Sequence, residues 1–72
     1  MSDIKIMASN RIRKLRLKAG YTQEELAGLA NIESKHIQRL ESKRPCDIKL
    51  TTIEKLAKAF KITPSKLLDF KE

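Results

Sequence analysis

The segment Thr22-Gln23-Glu24-Glu25-Leu26-Ala27-Gly28-Leu29-Ala30-Asn31-Ile32-Glu33-Ser34-Lys35-His36-Ile37-Gln38-Arg39-Leu40-Glu41 constrains the fold more than any other part of the chain. Thr22 and Glu25, three residues apart, form a capping box that starts a helix. Glu24 and Glu25 also suit the positive end of that helix's dipole. Leu26, Ala27 and Ala30 face inward. Gly28 is out of place in so short a helix and costs about 1 kcal/mol against alanine. Asn31 tolerates the left-handed geometry of a tight turn, and Ile32 points back to the core. A second short helix follows, over about Ser34 to Ser42, with Ile37 and Leu40 inward. At 100° per residue, Lys35, Gln38, Arg39 and Ser42 lie on the opposite side.

Elsewhere the pattern is also helical. Glycine and proline number two each, and period-two alternation is never sustained. The spacing of Ile4, Ala8, Ile12, Leu15 and Ala19 predicts a helix from about Asp3 to Ala19, ended by Gly20. Arg16 borders its apolar face; Arg11, Arg13, Lys14 and Lys18 lie off it. After a connector from Lys43 to Lys49, Leu50, Ile53, Leu56, Ala57 and Phe60 predict a helix over about Leu50 to Phe60. Thr63-Pro64, a cap followed by proline at the first helical position, opens a last helix carrying Leu67, Leu68 and Phe70. The expected class is all-α, in five helices and one domain spanning residues 1–72.

The motif at about 22–42 has the parts of a helix-turn-helix, which lays its second helix in the major groove of DNA. The charge agrees. Sixteen Lys and Arg against nine Asp and Glu give a net +7, which favours a polyanionic partner. The excess is spread along the chain, so an anion-binding face must be built by folding. Tyr21, Phe60 and Phe70 are too few for a base-stacking surface on single strands. Cys46 and His36 are each alone. The residues therefore predict no metal and no cofactor, and Cys46 reads as an incidental thiol. There is no acid/base pair beside a nucleophile and no phosphate-cradling glycine loop, so an enzyme is not expected. Apolar runs are too short for a membrane span, and no signal peptide is visible. The expected location is the cytoplasm.

Several stretches together resemble the lambda-repressor/Cro-like (Xre-type) helix-turn-helix family. They are Arg11-Ile12-Arg13-x-Leu15-Arg16 before Gly20, then Thr22 to Ala27, and the turn at Asn31. Ile37-x-Arg39-Leu40-Glu41 and Leu56-Ala57-Lys58-Ala59-Phe60 complete the set. The resemblance covers about Ile4 to Leu68. It implies a compact five-helix domain and a cytoplasmic DNA-binding regulator, usually a homodimer on a palindromic or pseudopalindromic operator. It also implies that Gln23 touches the DNA backbone and braces the recognition helix, and that Arg16 and Glu41 form a largely buried ion pair. The sequence departs from the family pattern in places. Asn31 stands where glycine is usual, Glu33 where a Ser or Thr cap is common, and Lys43 where glycine often occurs. The connector before Leu50 is one residue longer than usual.

These readings distribute the roles. Ser34, Lys35, Gln38 and Arg39 are candidates for base or groove contact: Lys and Arg can donate to guanine, and Gln can pair with adenine. Arg39 fits a phosphate equally well. Thr22 and Gln23, at a helix N-terminus, and Lys43, Arg44 and Lys49, around the connector, are candidates for backbone contact. His36 is a packing or phosphate-side residue. Leu68 and Phe70 are candidates for a dimer surface, or close the monomer core. The expected partner is double-stranded DNA carrying a palindromic operator, bound by a homodimer, with a toxin or the polymerase as a further protein partner. The alternative function is an antitoxin-type interaction module whose DNA binding serves autoregulation. It has thin support, because only residues 69–72 follow the last helix.

Overall fold

A computed structural model describes residues 3–71. Met1, Ser2 and Glu72, which belong to the expected 1–72 domain, lie outside the described residues. The described chain forms five helices and no strand: α1 (Ile4–Ala19), α2 (Gln23–Ala30), α3 (Ser34–Leu40), α4 (Leu50–Phe60) and α5 (Pro64–Leu67).

Local chemistry sets most helix ends. Thr22 accepts from the Glu25 amide, and the Glu25 carboxylate accepts from the Thr22 amide, closing the capping box. Gly20 ends α1 at φ 78°, and Asn31 ends α2 at φ 56°, both left-handed. Thr63 caps α5 ahead of Pro64. Lys61 ends α4 at φ 59°, the same geometry without glycine's freedom. α3 stops at Leu40, short of the expected Ser42. The Ser42 amide and hydroxyl both donate to the Arg39 carbonyl, tightening the chain into a turn.

Each helix gives the core one large, fully buried side chain: Ile12, Leu26, Ile37, Leu56 and Leu67. α2 packs on α3 and α4, and α4 also receives α1 and α5. Tyr21 and Phe60 stack at 6.4 Å between ring centres, joining the α1–α2 loop to the end of α4.

The core departs from the expected one at helix ends. Ile4, Ala19 and Leu50 sit on the apolar side of their helices but are exposed. α1 is about 24 Å long at 1.5 Å per residue, and its buried residues lie only within Ala8 to Ile12. Leu50 is in the first turn of α4, beyond the packed layer. Arg11, expected off the core face, is buried. Its guanidinium donates to the carbonyls of Leu67 at 3.2 Å and Lys66 at 2.9 Å. α5 stops at Leu67, before Phe70, and Arg11 satisfies carbonyls at that helix end, where the Lys66 carbonyl also accepts the Asp69 amide.

Gly28 is exposed, and a Cβ built on it meets nothing within 4 Å. Gly28→Ala is therefore expected to stabilise the protein by up to about 1 kcal/mol, read as a higher melting temperature. An unchanged or lower value would mean that the helix bends where no neighbour requires it.

Candidate nucleic-acid interface

The interface is built on α3. Ile37 and Leu40 are buried and hold this short helix to the core. That anchoring turns Lys35, Gln38, Arg39 and Ser42 into solvent. Ser34, the first helical residue, and His36 are half-buried. Glu33 makes no side-chain capping bond, so the amides at the start of α3 carry no side-chain cap.

The end of α3 is clamped by charge. Arg16 Nε and Nη2 donate to the two carboxylate oxygens of Glu41 at 2.7 and 2.9 Å. Arg16 Nη1 donates to the Tyr21 carbonyl at 2.9 Å. The two side chains are 11% and 3% exposed, so this is a buried, two-pronged pair. The hydrogen bond to Glu41 raises the Arg16 pKa against the opposing effect of burial. A raised cation pKa favours the folded state at every pH below the unfolded value, and the guanidinium stays charged through the neutral range.

Gln23 Nε2 donates to Glu41 at 3.3 Å. The first residue of α2 is thereby tied to the last turn of α3, with its amide oxygen left over. Thr22 is exposed, with its hydroxyl oxygen already accepting the Glu25 amide. Lys43 and Arg44 are exposed in the bend after α3, and Lys49 is exposed at the N-cap of α4. A surface pair between Lys5 and Asp47, 3.0 Å apart, ties the connector to α1.

α3 thus shows two adjacent polar faces. Lys35 and Gln38 share one. His36 and Arg39 share the other and line a groove with Lys49 and Lys55. The structure thereby groups Arg39 with Lys49 of the connector, while Lys43 and Arg44 do not line that groove. His36 and Lys55 are additions that periodicity alone does not bring together. Leu68 and Phe70 are not equivalent either. Leu68 is exposed, whereas Phe70 is half-buried and lines a small cavity with Met7 and Asn10 of α1.

The sequence profile of the Cro/C1-type HTH DNA-binding domain matches residues 11–72. The chain belongs to that family. As a Cro/C1-type protein it is a transcription regulator that binds double-stranded DNA through its helix-turn-helix. Control protein C.BamHI of Bacillus amyloliquefaciens is 31% identical over 70 residues, covering 96% of this chain and 85% of that one. The restriction-modification controller protein C.AhdI from Aeromonas hydrophila has a crystal structure that is 32% identical. It superposes with a TM-score of 0.81, covering 88% of this chain and 94% of that one. C.Esp1396I bound to a 19 base pair DNA duplex is 26% identical with a TM-score of 0.83, covering 92% and 87%. Among the described residues of this Cro/C1-type chain, no group of three or more His, Cys, Asp or Glu side chains could hold a metal, and no helix is long and apolar enough to cross a membrane.

Proposed function

We propose that this chain is a controller of restriction–modification genes, binding a palindromic operator in the cytoplasm as a homodimer. The observation that carries the reading is the extent of the likeness to controllers: C.BamHI and C.AhdI align over most of this chain and of their own. In this reading, Lys35 and Gln38 enter the major groove and read base edges, with Ser34 alongside at the start of α3. Arg39 sits at the junction between base edges and backbone. Gln23 and Thr22, at the α2 N-terminus, take one phosphate strand. Lys43, Arg44 and Lys49 hold the backbone beyond α3. One α3 reads few base pairs. Two copies on half-sites about one helical turn apart supply the missing specificity, and exposed Leu68, with Phe70 behind it, is the surface proposed for their contact.

The test is selection from a randomised duplex pool, followed by sedimentation of the protein with the selected DNA. The expected result is a palindrome bound by two copies. Selection of no sequence, or a monomer at high micromolar concentration with and without DNA, would overturn the operator and dimer parts respectively.

A further inference from the structure

The end of α5 is fixed from the far end of the chain. α5 is four residues long, Pro64–Leu67, and Leu67 is its buried residue. A single helical turn does not hold itself together in water. Its start is secured locally, by the Thr63 hydroxyl accepting the Lys66 amide. Its end is secured by Arg11, 56 positions before Leu67. Arg11 Nε donates to the Leu67 carbonyl at 3.2 Å, and Nη2 donates to the Lys66 carbonyl at 2.9 Å. These donors sit on a rigid planar fork, so they fix two consecutive carbonyls in place and direction. A lysine ammonium has no such fork.

A second contact is independent of those hydrogen bonds. Arg11 also lines the cavity of about 220 Å³ beside Phe70, together with Met7, Asn10 and Lys14. One side chain therefore binds the backbone just before the turn and forms part of the seat for the ring just after it. Between them the Asp69 amide donates to the Lys66 carbonyl at 3.2 Å and closes the turn. Phe70 ends half-buried, and Leu68 is left exposed. Arg11 itself is only 5% exposed, so anything it does at a partner surface passes through α5.

We propose that Arg11 is the positioning residue for the contact between two copies of this chain. It holds the end of α5 so that Leu68 points outward with Phe70 seated behind it. This rests on the reading that the chain is a homodimer through that surface. With the fork in place, the turn is ordered before two copies meet. Without it, the turn is ordered at association, and ordering even one backbone residue then costs about tenfold in affinity. The recognition helix is held separately, by buried Ile37 and Leu40 and by the Arg16–Glu41 pair. Its grip on DNA as a single copy does not depend on the fork.

The experiment is sedimentation equilibrium of the full chain, giving the dimer dissociation constant for the parent, Arg11→Met, Arg11→Lys and Leu68→Ser. Fluorescence anisotropy gives the affinity of each for a short duplex with room for one copy, and amide spectra establish that each is folded. The expected result is a dimer weakened about tenfold by Leu68→Ser and by each Arg11 variant, with single-copy DNA affinity held within about twofold. Arg11→Lys keeps the charge and gives up the fork, so its loss assigns the effect to geometry; it carries the test if the methionine variant does not fold. In the double variant Arg11→Met with Leu68→Ser, the loss should fall short of the product of the single losses, because both act on one surface. Arg11 variants that dimerise like the parent while Leu68→Ser does not would overturn the positioning role and leave the dimer reading intact. Equal losses of dimer and single-copy DNA affinity, or a full product in the double variant, would overturn it as well. A monomeric parent at high micromolar concentration, or a dimer that Leu68→Ser does not weaken, would remove the dimer surface and the proposal with it.

Discussion

Glu41→Ala is expected to destabilise the protein by about 3–5 kcal/mol, because it strands the buried guanidinium of Arg16. The size follows from the geometry. Glu41 accepts from Arg16 at both oxygens and from Gln23 as well. No second carboxylate appears among the hydrogen bonds of Arg16. A chain of this length has roughly 4–11 kcal/mol of total stability, so the variant loses a large share of it. Denaturant unfolding measures the loss directly. A double replacement, Arg16→Met with Glu41→Leu, removes both charges and is expected to be less damaging than either single change, since the cost lies mainly in the unpaired charge. A loss below about 1 kcal/mol for Glu41→Ala would put the pair in the class of solvated surface bridges and would remove its role as a clamp on α3. The functional link runs through Gln23: without Glu41, its amide no longer ties α2 to the last turn of α3.

The parts of this architecture that the sequence discloses are those written within a few residues. The Thr22–Glu25 box, Gly20, Asn31 and Thr63-Pro64 each act over one turn, and each forms in the structure. The two faces of α3 follow from periodicity for the same reason. Ile37 and Leu40 can be inward only if Lys35 and Gln38 are outward. The remainder depends on distant partners. Arg11 resembles any basic residue on a helix flank until the chain brings Lys66 and Leu67 to it. Ile4, Ala19 and Leu50 satisfy the helical period but are exposed, because periodicity gives a face and not how far along the helix that face is covered. Lys61 adopts a left-handed cap that its residue type does not advertise. The groove beside α3 is hidden from the sequence for the same reason. His36 and Arg39 meet Lys49, Thr52 and Lys55 only after the connector has folded back against the recognition helix.

Gln38→Ala and Lys35→Ala are expected to cut affinity for the selected operator by about 1–3 kcal/mol per half-site, roughly fivefold to 150-fold. A homodimer carries each change twice, so the loss on a full palindrome is up to about double that. Both side chains are exposed and leave the core untouched, so unfolding stability should stay within about 0.5 kcal/mol of the parent. The two variants separate sequence reading from charge. Gln38 is neutral; its removal should weaken the operator while leaving random duplex and the salt slope unchanged. Lys35 is charged and should lower both, with the larger loss on the operator. Lys43→Ala and Lys49→Ala should lower operator and random duplex together and flatten the log affinity–log salt slope by about 0.9 for each phosphate no longer neutralised. Binding measured on both duplexes at several salt concentrations decides the matter. If Gln38→Ala leaves operator affinity unchanged while the lysine variants reduce it, α3 contributes only charge and the base-reading role moves off Gln38. If Gln38→Ala lowers operator binding selectively, a side chain placed outward by the burial of Ile37 and Leu40 is the one that distinguishes the sequence.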